Sequence, residues 1–219
     1  MNVWTENERY LDYHLVKEPT EFRQATKEIR ETNLPAMEVS PGFGKFLYML
    51  ARLRGAKRIL ELGTFYGYST MWLAKAVPAE GIVMSVEMTE RFIKTTQSNL
   101  ERAGLSNKVR LINGDAHEIL ATLIKEETKA FDMIFIDAHK PSYPQFLELC
   151  LKLSKPGTII CGDNIILDGE LANLCNCNPK AENLRHFIED MGKLENLEST
   201  ALQTVGAKGY DGFTISIVS

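Results

Sequence analysis

The sequence lacks any apolar run near the roughly 20 residues that a membrane-spanning helix needs. Its first residues, Met1 to Glu6, also lack the basic region followed by an apolar stretch that marks a secretory signal. Both absences argue against export and against insertion into a bilayer. We therefore expect a cytoplasmic protein with no membrane partner.

An excess of positive charge is also missing. Lys and Arg number 25 against 29 Asp and Glu, which gives a net charge of −4 with histidine neutral. Surfaces that bind nucleic acid are usually strongly basic. We therefore do not expect a nucleic-acid partner, although a local basic patch is compatible with this balance.

Cysteine is scarce and poorly spaced for metal binding. The four cysteines are Cys150, Cys161, Cys175 and Cys177. The last two lack the two-residue spacer of a structural zinc site, and the chain lacks a second pair to complete one. We predict free thiols in a reducing compartment.

The chain does contain a regular alternation of strand-like and helix-like segments from residue 58 onward. Its 219 residues, 44% of them hydrophobic, suffice for one domain with a sizeable core. Repeated strand–helix units favour a parallel sheet with right-handed crossovers. We predict an α/β fold with a doubly wound, mostly parallel seven-stranded sheet and an antiparallel C-terminal strand pair. The predicted strands are 58–62, 81–87, 109–112, 131–136, 158–161, 197–204 and 212–218.

The N-terminal part of the chain is predicted to be helical. Residues 1–36 form a helical cover on a core of residues 37–219, within one domain. Thr5 and Glu8 have the spacing of a capping box, which favours a first helix that reaches Val16. Ser40 followed by Pro41 favours the start of another helix.

The most informative stretch joins the first predicted strand to its helix. It contains Glu61, Gly63 and Gly67, at a corner where free N–H groups and the helix dipole face outward. The spacing differs from the G-x-G-x-x-G that holds a dinucleotide pyrophosphate, and Glu61 would repel such a group. We predict a ligand with a cationic centre. An ordinary strand–turn–helix corner without a ligand is the alternative.

Acidic side chains also follow the second and third strands, at the edge where doubly wound sheets bind ligands. Glu87 ends the second strand and is placed to accept hydrogen bonds from a ribose diol. Asp115 follows the third strand, and its side chain suits both a helix cap and an adenine contact. Both roles stay open at this stage.

Three hard oxygen donors follow the fourth and fifth strands: Asp137, Asp163 and Asn164. Neighbouring strands lie about 4.8 Å apart, so we expect these groups to meet and to suit Mg²⁺ or a similar cation. Lys140 would lie beside this cation, which disfavours its ammonium form and makes it available as a base. The alternatives are a plain turn at Asp163 and Asn164 and a solvated surface lysine.

Together these residues resemble the cation-dependent class I S-adenosylmethionine O-methyltransferases, the family that contains catechol and caffeoyl-CoA O-methyltransferases. The resemblance covers residue 37 to the C-terminus and includes Glu61-Leu62-Gly63, Gly67-Tyr68-Ser69 and Asp211-Gly212-Phe213. It implies a Rossmann-like methyltransferase fold with S-adenosylmethionine as the cofactor. It also implies a divalent cation, Mg²⁺ or else Mn²⁺ or Ca²⁺, and a homodimer.

The resemblance also implies roles for individual residues. Lys140 and Asp137 are the implied catalytic residues, and Asp137, Asp163 and Asn164 are the implied metal ligands. The implied cofactor-binding residues are Met37, Val39, Glu61, Gly63, Tyr68, Ser69, Glu87, Asp115, Ala116, His117, Asp137 and His139.

The chain departs from the family pattern at two points. His139 stands where the animal catechol enzyme has a tryptophan, and residues 202–210 contain no acid where that enzyme has a glutamate. The second departure argues against simple catechol as the natural acceptor. The implied acceptor is a small phenolic molecule with vicinal hydroxyls, such as a catechol, a hydroxycinnamoyl compound or a flavonoid. Hydroxylated uridine in transfer RNA and a non-catalytic cofactor-binding protein are the alternatives.

Overall fold

The computed structural model describes residues 2–32, 34–175 and 177–219. Met1 and Asn33, in the predicted N-terminal cover, and Asn176, in the predicted core, lie outside the described residues. The described chain folds around a seven-stranded sheet in the order β3-β2-β1-β4-β5-β7-β6. No helix in these ranges is long and apolar enough to cross a membrane.

The sheet has the direction pattern that the sequence predicts. The first five strands pair in parallel, and β7 lies antiparallel between β5 and β6. The strands are β1 (Arg58–Leu62), β2 (Ile82–Glu87), β3 (Val109–Asn113), β4 (Met133–Ile136), β5 (Ile159–Asp163), β6 (Leu197–Gly206) and β7 (Gly209–Val218). The predicted α/β fold class is confirmed.

Helices cover both faces of the sheet. They are α1 (Val3–Leu11), α2 (Thr20–Arg30), α3 (Pro41–Arg54), α4 (Tyr68–Ala76), α5 (Glu90–Arg102), α6 (Ala116–Lys125), α7 (Tyr143–Lys152) and α8 (Pro179–Lys193). Alternate residues of β1 serve the two faces: Ile59 belongs to the cluster that includes Leu73 of α4, and Leu60 to the cluster that includes Leu147 of α7. A strand covered on both faces is mostly apolar; β1 departs from this pattern at Glu61, which is fully buried.

The first helix begins earlier than predicted. The Oδ1 atom of Asn2 accepts a hydrogen bond from the N–H of Thr5 at 3.0 Å, and α1 starts at Val3. The capping box predicted at Thr5 and Glu8 is therefore wrong, because Asn2 supplies the cap. The helix continues as a π-helical turn over Asp12–Val16. The predicted end of this first helix at Val16 is therefore confirmed.

Two other local predictions have different outcomes. Ser40 caps α3 as predicted, since its Oγ accepts from the N–H of Phe43 at 3.3 Å. The fifth strand extends to Asp163 and does not end at Cys161, because Asp163 pairs with Phe213 of the antiparallel neighbour. This acid is thus held by the sheet itself.

The four thiols are free, as predicted. Cys150 and Cys161 are buried in the core, whereas Cys175 and Cys177 are exposed. Burial raises the pKa of both Cys150 and Cys161 above the ordinary thiol value, so these two behave as small apolar side chains.

Asp132 anchors the opposite edge of the sheet, at the amino end of β4. Its Oδ2 accepts from the N–H groups of Lys57 at 2.8 Å and Arg58 at 2.9 Å, and its Oδ1 lies 2.6 Å from Nζ of Lys155. Burial opposes its ionisation, but Lys155 and the two N–H groups outweigh burial and hold the pKa of Asp132 below its usual value.

We expect Asp132→Ala to lower the free energy of unfolding by about 2–3 kcal/mol at neutral pH, because two partly buried N–H groups and Lys155 lose a charged acceptor. The loss should shrink as pH falls through the lowered pKa, where wild-type Asp132 becomes protonated as well. Urea unfolding at several pH values measures both effects. Glu80→Ala, which removes an exposed partner of Lys57, should leave the midpoint unchanged; an equal effect of the two substitutions would contradict the anchoring role.

Candidate active site

A cavity of about 860 Å³ opens at the carboxyl ends of β1, β2, β4 and β5. Residues 36–40 and the turn between β6 and β7 also contribute to its lining. The predicted site residues that line it are Met37, Val39, Gly63, Tyr68, Ser69, Glu87, Asp115, Ala116, His117, Asp137, His139, Lys140, Asp163 and Asn164. The fold therefore brings every predicted site residue except Glu61 to one volume.

The loop between β1 and α4 depends on two glycines. Gly63 has φ of +94°, and a Cβ there would lie 1.9 Å from the carbonyl oxygen of Asp137. Gly67 has φ of +88°, and a Cβ there would lie 2.6 Å from Cγ2 of Thr96. L-residues rarely adopt this backbone conformation. Because these two positions carry no side chain, the loop can pass directly against the end of β4 at Gly63 and against α5 at Gly67.

Glu87 is oriented by the backbone of this loop. Its Oε2 accepts from the N–H groups of Phe65 at 2.9 Å and Thr64 at 3.3 Å, and its Oε1 accepts from the N–H of Thr89 at 2.8 Å. A carboxylate held by three N–H groups at the cavity wall keeps free lone pairs. It is therefore suited to the ribose hydroxyls predicted from the sequence.

Glu61 does not line the cavity, so the direct ligand contact predicted for it has no support in the structure. The side chain is fully buried behind the loop, where its Oε2 accepts from Thr70 Oγ1 at 2.5 Å and Ser85 Oγ at 2.6 Å. Burial, opposed by these hydroxyls and assisted by the charge of Asp137, raises the pKa of Glu61 to about 7. The carboxyl group ties β1, β2 and α4 together beneath the loop.

Asp115 caps α6, which settles one of its two open roles. Its Oδ1 accepts from the N–H groups of His117 at 2.8 Å and Glu118 at 3.4 Å. The ring of His117 lies 4.6 Å from that of Phe146, between centroids. Phe146 was not singled out from the sequence, yet these two rings form an aromatic wall of the cavity. The adenine contact of Asp115 stays a prediction.

The ends of β4 and β5 hold a cluster of charged groups. Lys140 Nζ donates to Asp137 Oδ1 at 2.8 Å, and Asp163 is only 8% exposed beside them. Burial, followed by the charge of Asp137, raises the pKa of Asp163 above its usual value. Asn164 follows with φ of +55°, a left-handed conformation that asparagine tolerates better than most residues.

Tyr143 supports this cluster from below and was missed in the sequence. Its hydroxyl accepts from Lys140 Nζ at 2.8 Å and lies 2.9 Å from the carbonyl oxygens of Ile136 and Asp163, to one of which it donates. The side chain is fully buried. Its position three residues after Lys140, at the start of a helix, is the signal that could have revealed it.

The pKa of Lys140 differs from the sequence prediction. Burial alone would lower it, but the carboxylates of Asp137 and Asp163 outweigh burial and raise the pKa above the usual lysine value. The predicted lowering therefore requires a cation that neutralises the same two carboxylates. No three His, Cys, Asp or Glu side chains group as metal ligands within the described residues; the predicted ligand set contains two carboxylates and one amide.

Charged side chains outside the predicted set of site residues also reach the cavity. Glu8 of α1 and Lys208 of the β6–β7 turn both line the cavity. Glu8 Oε2 accepts from the N–H of Ala207 at 2.5 Å. Residues 202–210 contain no acidic side chain. Glu8, almost 200 residues earlier in the chain, thus brings a carboxylate to this segment.

Comparison with known proteins decides the family. A protein-family model with the description O-methyltransferase matches residues 12–215 of the sequence. The chain belongs to this family. A catechol O-methyltransferase of Niastella koreensis is 41% identical over 211 residues, with 96% of each chain covered. One from Mycobacterium tuberculosis is 34% identical, with 95% of this chain and 93% of the relative covered.

Solved structures of the family agree with this assignment. The O-methyltransferase from Bacillus cereus, in complex with SAH (S-adenosylhomocysteine), has a TM-score of 0.95 and 40% identity, covering 99% of this chain and 98% of its own. TomG from Streptomyces achromogenes, in complex with SAM (S-adenosylmethionine), has a TM-score of 0.95 and 40% identity, covering 99% and 97%. The predicted family, fold and O-methyltransferase class are confirmed.

Gly63→Ala should lower the free energy of unfolding by about 3 kcal/mol or more, because the new methyl group meets the carbonyl of Asp137 as well as an unfavourable φ. Gly104→Ala is the matched control, since Gly104 has φ of +66° but nothing within 4 Å of its Cβ position. It should cost only about 1 kcal/mol. Urea unfolding of both variants compares them, and equal costs would show that the close approach does not matter.

Glu61→Gln tests the raised pKa of the buried carboxyl group. A group whose pKa rises on folding contributes stability below its unfolded pKa and loses it as pH rises through the folded value, here about 7. Wild type should therefore lose roughly 2–4 kcal/mol relative to Glu61→Gln between about pH 4.5 and pH 7. Denaturant unfolding across this range is the measurement. Parallel pH profiles of the two proteins would contradict a protonated Glu61.

Proposed function

We propose that this member of the O-methyltransferase family transfers a methyl group from S-adenosylmethionine to a hydroxyl of a small phenolic molecule with vicinal hydroxyls, in a reaction that depends on a divalent cation. The contact between Gly63 and Asp137 carries the proposal. It joins the loop suited to the cofactor to the acid that binds Lys140. A contact of this kind would hold a methyl donor and a base close to each other.

The cavity suits S-adenosylmethionine in shape and polarity. Its volume of about 860 Å³ lies within the range of small-molecule sites, which is about 300–1,000 Å³. Glu87 would accept from the ribose hydroxyls, and the His117–Phe146 wall would pack against the adenine. Residues 37, 39, 63, 68 and 69 would surround the methionine part. SAM- and SAH-bound relatives with 40% identity support this ligand.

The charge cluster fits a divalent cation. When both are ionised, Asp137 and Asp163 carry two negative charges against the single positive charge of Lys140. Burial, followed by the charge of Asp137, raises the pKa of Asp163, so a bound cation would favour the ionised form of both carboxylates. Hard oxygens of two carboxylates and the Asn164 amide suit Mg²⁺, with Mn²⁺ or Ca²⁺ as other candidates. When bound there, such a cation supplies positive charge that lowers the pKa of an acceptor hydroxyl.

The residues of the chain would then divide the work. Lys140 Nζ takes the proton of the acceptor hydroxyl. It can do so because a cation that neutralises Asp137 and Asp163 would remove the attraction that keeps Lys140 protonated. Tyr143 fixes the position of Nζ through its hydroxyl. The loop of residues 63–67 and the segment of residues 36–40 hold the donor methyl in line with the acceptor oxygen, so alignment in a site with little water supplies much of the rate.

The acceptor end of the cavity favours an aromatic molecule. Phe43 and Phe213, whose ring centroids lie 4.7 Å apart, line the cavity, as does Val205. Catechol O-methyltransferases among the relatives support a catechol, hydroxycinnamoyl or flavonoid-like compound. The cytoplasmic location and the homodimer stay predictions. Size-exclusion chromatography with light scattering would test the dimer.

Methyl transfer from labelled S-adenosylmethionine tests the proposal. The acceptors are catechol, caffeic acid, a catechol-bearing flavonoid and unmodified transfer RNA, each with Mg²⁺ and with EDTA. Product on a vicinal diol that vanishes with EDTA is expected. Activity that persists in excess EDTA would contradict the cation, and methylation of transfer RNA alone would favour the alternative acceptor.

Asp163→Ala should reduce turnover on the order of 100-fold or more, because a cation ligand next to the base is lost. Affinity for SAH, measured by calorimetry, should change little, since Glu87 and the loop of residues 63–67 remain intact. Asp190→Ala on α8, an exposed acid paired with Lys193, is the control and should keep full turnover. Undiminished turnover in Asp163→Ala would remove Asp163 from the mechanism.

A further inference from the structure

Lys208 connects two parts of the chain that line the same cavity. It lies in the turn between β6 and β7, and its Nζ donates to the carbonyl oxygens of Ala36, at 3.0 Å, and of Glu38. The same Nζ lies 3.3 Å from Glu38 Oε1. The three N–H donors of the ammonium group thus meet three acceptors in residues 36–38, a segment about 170 positions earlier in the chain.

The acceptor side of this contact is a buried charge. The Glu38 side chain is only 3% exposed, and its Oε1 also lies 3.3 Å from Nη2 of Arg30. Its Oε2 is buried without a hydrogen-bond partner in the part of the chain that the structure describes. A buried carboxylate is costly unless cations offset it, so Glu38 stays folded inward only while Lys208 and Arg30 are in place.

The position of the contact connects it to the ligands. Glu38 lies between Met37 and Val39, which line the cavity together with Lys208. Glu38 and Lys208 also border a second cavity of about 470 Å³ against α2. On the other side of the turn, Ala207 is bonded to Glu8 of α1. The turn is therefore held at two neighbouring residues, beside the part of the cavity wall that residues 36–39 form.

We propose that Lys208 is a positioning residue that closes the cavity over its ligand. Its ammonium group fastens the β6–β7 turn to residues 36–38. A bound cofactor therefore dissociates slowly, and the acceptor end of the cavity keeps one shape while the cofactor is bound. A merely structural role would lower stability without changing ligand release, and the two roles are separable by experiment. The proposal rests on the proposed function only in using SAH as the probe.

The test compares Lys208→Met, which keeps the length of the side chain and removes its charge, with Lys208→Arg, which keeps charge and donors. Lys193→Met on α8 removes an exposed lysine and is the matched control. Stopped-flow measurement of SAH dissociation should show a rate about five-fold or more higher in Lys208→Met than in wild type. Lys208→Arg should largely restore the slow rate, and Lys193→Met should equal wild type.

Hydrogen exchange supplies the second readout. In wild type, SAH should slow amide exchange in residues 36–39 and 204–209 together; in Lys208→Met this joint protection should be lost while protection near Glu87 remains. Glu38→Gln combined with Lys208→Met should release SAH no faster than Lys208→Met alone, because the two residues act as one contact. Unchanged release and unchanged joint protection in Lys208→Met would overturn the proposal.

The outcomes also separate this inference from the proposed function. If wild type does not bind SAH at all, the proposed cofactor is wrong. The contact of Lys208 with residues 36–38 is then tested by hydrogen exchange of the protein without ligand. Faster exchange at residues 36–39 in Lys208→Met, with the rest of the protein unchanged, would then support the fastening role of Lys208, whereas equal exchange would overturn it.

Discussion

The site depends on one contact between two stretches of backbone, that of Gly63 with the carbonyl group of Asp137. No side chain larger than hydrogen fits between them. The contact sets the distance between the loop after β1 and the end of β4, and the two strands are already neighbours in the sheet. Glu87, bonded to the N–H groups of the same loop, and Lys140, bonded to Asp137, take their positions from it.

The two acids at either end of β4 illustrate how environment assigns a role. Asp132, at the amino end, is met by Lys155 and two backbone N–H groups, and its lowered pKa reflects a satisfied charge that stabilises the fold. Asp137, at the carboxyl end, shares a single lysine with Asp163. Burial and the charge of Asp137 raise the pKa of Asp163 there, and acids with perturbed pKa values are common at functional sites.

Much of the fold and of the candidate site could be predicted because short stretches of sequence determine the strands, the helices and the turns between them. Strand ends carry the polar groups, and the spacing of Glu61, Gly63 and Gly67 differs from that of a pyrophosphate-binding loop. It favours a ligand with a cationic centre over an ordinary strand–turn–helix corner. Glu61 shows the limit of that reasoning, since its position suggested a ligand contact and only the packing of Ser85 and Thr70 around it shows a buried support. Glu8 and Lys208 reach the site through tertiary contacts, which no local pattern specifies. Tyr143 lies only three residues after Lys140, but its role depends on contacts with the ends of β4 and β5.

The reversed direction of β7 has a consequence for how the family can vary. Because β7 runs against β5, the connection between β6 and β7 emerges at the edge of the sheet where the parallel strands end. The chain turns there between Gly206 and Gly209, outside the core. Insertions or deletions at this tip would reshape the rim around an acceptor without disturbing the register of any central strand. Acceptor preference can therefore diverge between relatives that share the cofactor loop unchanged.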